Sequence, residues 1–209
     1  MNIDAKKYDE IAREVFAPIY PVIAEQIKRK TGIIKGTCLD VGCGSGYLGM
    51  ALAKITDLTI CFFDQSEEML ELVTRKISDN GLTAKARTLL GDVHAIPYSD
   101  QSIELVISRG SIFFWEDRSR AFREIYRVLT PGGMAFVGGG FGTPELKMEI
   151  IDRIEERNKD SETGNFKAKV GKNISKDNER LFRDELQRAG VETFEIILDD
   201  AGLWVVMKK

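Results

Sequence analysis

Histidine is almost missing from this 209-residue chain, with His94 the only one, and its three cysteines, Cys38, Cys43 and Cys61, form no C-x-x-C pair. Too few soft ligands remain for a zinc site, so no metal is expected. Cys38 and Cys61 lie within apolar runs and read as buried thiols. Positive charge is not in excess either: 30 Lys and Arg stand against 33 Asp and Glu. The broad attraction that drives phosphate-backbone binding is therefore lacking, and no nucleic-acid partner is expected. No apolar run approaches the ~18 residues that cross a bilayer, and the opening "MNIDAKKYDE" lacks the apolar centre of a secretion signal. These absences lead to the expectation of a soluble, cytoplasmic protein without a membrane partner. The length suits one domain, 1–209, with its own core.

Alternation dominates what is present. After an N-terminal segment, 1–30, with helical spacing (Ile11, Val15, Ile19, Ile23, Ile27) broken by Pro18 and Pro21, short β-rich runs alternate with amphipathic stretches. The runs are 38–41, 58–64, 84–90, 103–108 and 133–140, and the helix candidates between them lie near 46–55, 67–80 and 117–129. The last candidate stops at Thr130-Pro131-Gly132-Gly133. Parallel neighbours need long crossovers, so this order predicts a doubly wound α/β fold with helices on both faces of the sheet. Past a helix near 177–189, the runs 191–198 and 202–208 flank Asp199-Asp200-Ala201-Gly202, a hairpin signal, and the sheet should end in an antiparallel pair. The polar, lysine-rich stretch 157–176 reads as a long mobile connection, either a solvated loop or a cover over substrate.

The stretch "CLDVGCGSGYLGMALA" holds two overlapping patterns: G-x-G-x-x-G from Gly44, and D-x-G-x-G-x-G from Asp40 through Gly42, Gly44 and Gly46. A dinucleotide loop expects apolar strand residues two and four positions before its first glycine. Counting back from Gly44 meets Gly42 and Asp40 instead, so that register fails. In the Asp40 register, Cys38, Leu39 and Val41 complete the strand and the glycines turn into a helix. Asp64 then closes the second strand, placed either to accept from two ribose hydroxyls or to cap the helix after it, with Ser66 a competing cap.

From about Cys38 to Gly142 the chain resembles the class I S-adenosylmethionine-dependent methyltransferases, including their ubiquinone/menaquinone C-methyltransferase-like group. The motifs that carry this are the Asp40 glycine loop, Asp64, the run Gly91-Asp92 to Ile96-Pro97, the strand Asp100 to Val106, and "RAFREIYRVLTPGG". The resemblance implies a Rossmann-like, mostly parallel seven-stranded sheet with a C-terminal antiparallel hairpin, and S-adenosyl-L-methionine as cofactor. It implies that Asp40, Gly42, Cys43, Gly44 and Gly46 hold the amino-acid end, and that Asp64, with Gln65 and Met69 beside it, holds the ribose. Asp92 would accept from the adenine amino group while the Val93 or His94 N–H donates to the ring; Asp92 as a plain turn residue is the alternative. His94 reads as backbone and packing rather than as a proton carrier.

Ser108 and Arg109 end the fourth strand, where open parallel sheets bind ligands, and are expected to meet the methionine moiety or the methyl acceptor. Tyr8 and Phe16 resemble the family's cofactor-covering helix. Phe113 and Trp115, with Phe114 between them, would either shape a substrate pocket or anchor a helix start, and Phe141 follows three glycines that favour close approach of a ligand or of neighbouring chain. Methyl transfer is a direct displacement needing no catalytic triad, so no catalytic residue is assigned. The motif N-P-P-[YF], tied by the resemblance to nitrogen acceptors in nucleic acids or proteins, is absent, which favours a small-molecule acceptor. The competing readings are a nicotinamide oxidoreductase and a module that binds adenosylmethionine without turnover. Oligomeric state is not encoded legibly.

Overall fold

A computed structural model describes residues 4–159 and 165–209. Its seven strands are β1 (Lys35–Val41), β2 (Asp57–Asp64), β3 (Ala86–Leu90), β4 (Ile103–Arg109), β5 (Leu129–Gly140), β6 (Thr193–Leu198) and β7 (Gly202–Lys208). The helices are α1 (Ala5–Glu14), α2 (Ile19–Thr31), α3 (Tyr47–Ile55), α4 (Glu67–Asp79), α5 (Arg118–Val128), α6 (Pro144–Arg157), α7 (Phe166–Asn173) and α8 (Lys176–Arg188). The strands form one sheet in the order β3-β2-β1-β4-β5-β7-β6. β1 to β5 pair in parallel, and β7 runs antiparallel to both β5 and β6. The expected doubly wound α/β class and the terminal antiparallel pair are both present.

Alternation along the strands explains why two layers of helix are needed. Cys38, Ile60, Phe62, Leu105 and Ile107 point into one core, while Leu39, Val41, Cys61, Phe63 and Val106 point into the other. Burial on both faces is what makes these strands near-continuous apolar runs. The first core is covered by α2, α3, α4, α6 and α7, the second by α5 and α8. In α2, Ile19, Ile23 and Ile27 repeat every four residues and are fully buried, so one stripe of the helix meets the sheet. Pro18 precedes α2 and separates it from α1, as expected, whereas Pro21 lies in the first turn of α2 and does not interrupt it.

Two expectations need correction. The stretch 157–176 is not a plain connection: α6 reaches Arg157, and Phe166–Asn173 forms α7, capped by the Asn165 side chain on the Ala168 N–H. Its residues 160–164 lie outside the described residues. Only Phe166 and Val170, one turn apart, carry its apolar face; Val170 is buried and the Phe166 ring meets Phe16 edge-on at 6.3 Å. Two contacts are too few to register as helical spacing. The turn Thr130-Pro131-Gly132-Gly133 ends α5 as expected, yet the chain is already extended there, within β5.

Candidate active site

The carboxyl ends of β1 and β4 lie side by side where the winding of the sheet reverses, and such a point opens a crevice. The loop from Gly42 to Gly46 borders it, with Gly42, Gly44 and Gly46 all at positive φ. At Gly44 the crevice side is close-packed as well: a Cβ there would meet the Tyr8 ring of α1 at 3.0 Å.

Asp40 is 2% exposed and accepts one hydrogen bond, from the Gly49 N–H at 3.0 Å. Among the described residues no cation pairs with it. Burial pushes its carboxyl up to about 7; the Gly49 hydrogen bond works against that shift and the negative charge of Asp64 adds to it. Gly49 itself allows the approach of α3 to β1 and β2, since a Cβ would stand 2.5 Å from Phe62 and 2.7 Å from the Asp40 Oδ2. Gly to Ala inside a helix ordinarily stabilises by about 0.5–1 kcal/mol. Here the clash outweighs that gain, and Gly49→Ala should lower stability by about 2 kcal/mol, read as a lower urea midpoint. An unchanged midpoint would mean that α3 shifts at little cost.

Asp64 is half-buried at the end of β2. Its Oδ2 accepts from the Gly44 N–H at 2.8 Å and its Oδ1 from the Ser66 N–H at 3.0 Å. The capping alternative is resolved in favour of Ser66, whose Oγ accepts from the Met69 N–H at the start of α4. Gln65 is exposed beside it and Met69 buried. Asp92 caps a 3-10 turn, Val93–Ala95. Its Oδ1 takes both the His94 N–H at 2.9 Å and the His94 Nδ1 at 2.5 Å, while the His94 Nε2 accepts from the Asp117 N–H at 3.2 Å. Because Nε2 accepts, Nδ1 carries the proton. Both ring nitrogens are engaged within the protein. These hydrogen bonds also hold the Asp92 carboxyl below its ordinary range, the backbone N–H of His94 first among the causes. Oδ2 has no protein partner among the described residues.

Ser108 and Arg109 diverge. Ser108 is fully buried, and its hydroxyl lies 2.6 Å from that of Ser111. Successive strand residues face opposite sides, and Arg109 rather than Ser108 lines the crevice. Ser111 in turn fills the space beside Gly42, where a Cβ would come within 2.4 Å of it. Trp115 is buried in the core under α5 and α8, and Phe113, half-buried, packs against that core, which favours the second alternative, a helix-start anchor. Phe113 lies 6.2 Å from Phe182 and Trp115 lies 6.1 Å from Phe122. Their apolar surface anchors the entry to α5.

Phe16 and Phe141 do come together, stacked at 6.4 Å, with the Arg109 guanidinium 4.9 Å from Phe16 and 5.7 Å from Phe141. Three residues went unnoticed in the sequence. Tyr20 borders the crevice and lies 5.8 Å from the Arg109 guanidinium, and Tyr47 stacks on it at 5.3 Å. Lys76 stands 3.9 Å over Tyr47, donates to the Ser45 carbonyl at 3.1 Å and pairs with Asp9 of α1. Tyr20 lies four residues after Phe16, across the break at Pro18, so helical spacing gave no signal for it.

Aligned over 98% of its length, the chain superimposes with a TM-score of 0.92 on a protein of Methanococcus maripaludis assigned to the S-adenosyl-L-methionine-dependent methyltransferases, covering 91% of that chain at 45% identity. The chain belongs to this methyltransferase family. The profile of the family described as "Methyltransferase domain" matches residues 39–137, from β1 into β5. Among curated relatives, the 2-methyl-6-phytyl-1,4-hydroquinone methyltransferase of Oryza sativa is 35% identical over 102 residues, 48% of this chain and 30% of its own length. The sterol 24-C-methyltransferase of Aspergillus fumigatus is 31% identical over 121 residues, 56% of this chain and 32% of its own. The matches thus span about a third of those two methyltransferases. S-adenosylmethionine is the family's cofactor, and the donor set suits its chemistry. A buried carboxylate without a cation, Asp40, stands one strand from a second carboxylate, Asp64, and the ligand offers an ammonium, a sulfonium and a vicinal diol.

Proposed function

We propose that the chain, as a single domain over 1–209, is a cytoplasmic methyltransferase that binds S-adenosylmethionine and methylates a small molecule. The observation that carries this reading is the buried, unpaired Asp40 beside Asp64 at the switch point of the sheet. The two curated relatives act, by name, on a hydroquinone and a sterol, which supports a small acceptor. Near-balanced charge speaks against nucleic acid. Three free cysteines suit a reducing compartment, and among the described residues no helix is long and apolar enough to cross a membrane.

In this reading Asp40 receives the ammonium, and Gly42, Cys43, Gly44 and Gly46 form the floor against the amino-acid portion. Asp64 accepts from the ribose hydroxyls, flanked by Gln65 and Met69. The free Oδ2 of Asp92 takes the adenine amino group, with the Val93 N–H for the ring, since the His94 N–H is already held by Asp92. Tyr8 and the N-terminal segment cover the site, while Arg109, Phe16 and Phe141 face the acceptor. When bound, S-adenosylmethionine supplies an electrophilic methyl group on a sulfonium. The chain's task is to bind, align and exclude water, and alignment alone can lower a barrier by about 7–11 kcal/mol.

A pH dependence follows from Asp40. Its carboxyl holds a proton in the free protein up to about pH 7, and an arriving ammonium favours the carboxylate, so binding releases a proton below that pH. Affinity should rise from about pH 5 to about pH 7, by at most about tenfold per pH unit, and then level off. Asp40→Asn should remove this slope. The linkage to stability has the opposite sign: between the ordinary value of 3.8 and about 7 the native state keeps a proton the unfolded chain has lost, so stability falls as pH rises through that window. The test is calorimetric titration of ligand-stripped protein with S-adenosylmethionine, S-adenosylhomocysteine and NADH across this pH range. Binding of NADH alone would overturn the reading in favour of an oxidoreductase. Binding of the first two, followed by methyl gain in an acceptor panel read by mass spectrometry, would establish it.

A further inference from the structure

Among the described residues Arg109 is a cation without a counter-ion. Its Nε donates to the Gly140 carbonyl at 3.0 Å, and among the described residues neither terminal nitrogen has a hydrogen bond or an ion pair. Other arginines at comparable depth are matched: Arg118 by Glu185, and Arg127 by Glu124 and Asp100. Asp40 borders the same crevice but does not pair with Arg109. Instead the guanidinium is drawn the other way, toward β5, by Gly140 and by the rings of Phe16, Tyr20 and Phe141 at 4.9, 5.8 and 5.7 Å. Rings within about 6 Å stabilise the cation through their faces while removing water from around it. A guanidinium held by Nε and by ring faces presents its terminal nitrogens as a fixed planar fork, the geometry that matches a carboxylate.

Strand order separates this fork from the nucleoside end of the crevice. Asp64 ends β2, Asp40 lies on β1, Arg109 ends β4 and Gly140 ends β5, four neighbouring strands in that sequence. Successive strands are about 4.8 Å apart, so the side on which Arg109 is pinned lies beyond the amino-acid position next to Asp40. We infer that Arg109 binds the carboxylate of the methyl acceptor, making the acceptor class a small apolar or aromatic carboxylic acid. This rests on the methyltransferase reading and narrows it. The same fork disfavours acceptors that arrive as protonated amines, because a desolvated guanidinium repels a second cation.

A carboxylate could also come from the cofactor's own methionyl group, and the test separates the two. Arg109→Met keeps the apolar stem among the rings, and Arg109→Lys keeps the charge but not the fork; unfolding curves of both establish that they fold. Wild type and variants, loaded with S-adenosylhomocysteine, are titrated with benzoate, phenylacetate and octanoate against the matching amides. The expected result is carboxylate binding in preference to amide, weakened by about tenfold or more in Arg109→Met and less in Arg109→Lys, with S-adenosylmethionine affinity unchanged. Two results overturn the inference: no carboxylate preferred over its amide by the wild type, or a matching loss of S-adenosylmethionine affinity in Arg109→Met that decarboxylated S-adenosylmethionine does not suffer. Failure of the wild type to bind S-adenosylmethionine at all would instead remove the methyltransferase reading beneath it.

Discussion

Asp64→Ala should weaken S-adenosylmethionine binding by about 100-fold, the largest effect on function expected from one side chain. Two charge-assisted hydrogen bonds to a vicinal diol contribute about 3 kcal/mol or more together, and 1.4 kcal/mol corresponds to a factor of ten. The variant also releases the Gly44 N–H, which Asp64 holds at 2.8 Å, so the glycine loop loses its tie to β2 along with the ligand contact. Asp64→Asn, which keeps one acceptor oxygen, should lie between. Ser66 caps α4 on its own, so the helix should survive either change. Calorimetric titration together with an unfolding curve decides the matter. Unaltered affinity in Asp64→Ala would assign the carboxylate to the loop alone and leave the ribose without its partner.

The largest stability effect belongs to an ion pair far from the crevice. Arg118, the first residue of α5, donates from Nε and Nη2 to the two carboxylate oxygens of Glu185 in α8, at 2.7 and 2.9 Å. Glu185 is only 7% exposed, and the guanidinium also lies 5.7 Å from the Phe182 ring. Removing the arginine strands a carboxylate between two helices, where water cannot replace the lost partner. Arg118→Ala should therefore cost about 3 kcal/mol, a fall in melting temperature of roughly 6–12 °C for a domain of this size. The double variant Arg118→Met with Glu185→Leu should recover most of that loss, because a buried pair replaced by packing is often nearly neutral. A single variant no worse than the double would mean that solvent reaches Glu185 after all.

Much of this architecture was legible in the residues. Strands β1, β2 and β4 announce themselves as apolar runs because both of their faces are buried, and the hairpin announces itself through Asp199, whose carboxylate accepts from the Ala201 and Gly202 N–H groups at 2.8 Å each. The register of the glycine loop could be chosen because Asp40 occupies a strand position that a dinucleotide loop leaves apolar. Other features depend on what lies opposite in space. α7 rests on two apolar side chains, one of them against a ring 150 residues earlier in the chain. Ser108 and Arg109 are neighbours in sequence and opposite in direction, so knowing that the strand ended there did not say which one faced the crevice. Phe113 and Trp115 had the composition of a pocket, and only the placement of Phe122 and Phe182 beneath them turned it into core. The three glycines before Phe141 serve packing in the same way, since a Cβ at Gly138 or Gly140 would run into β7 at Leu203 or Trp204.

The position of β7 carries a consequence for how the chain is made. It follows β6 in sequence yet lies inside the sheet, between β5 and β6. During synthesis from the amino terminus, β6 emerges before its partner β7, and the free edge of β5 stays open until 202–208 have left the ribosome. The first five strands can associate as they appear, but the sheet closes only once the final strand has slotted into its gap. Between the emergence of β5 and that of β7, the nascent sheet holds five strands with an open edge.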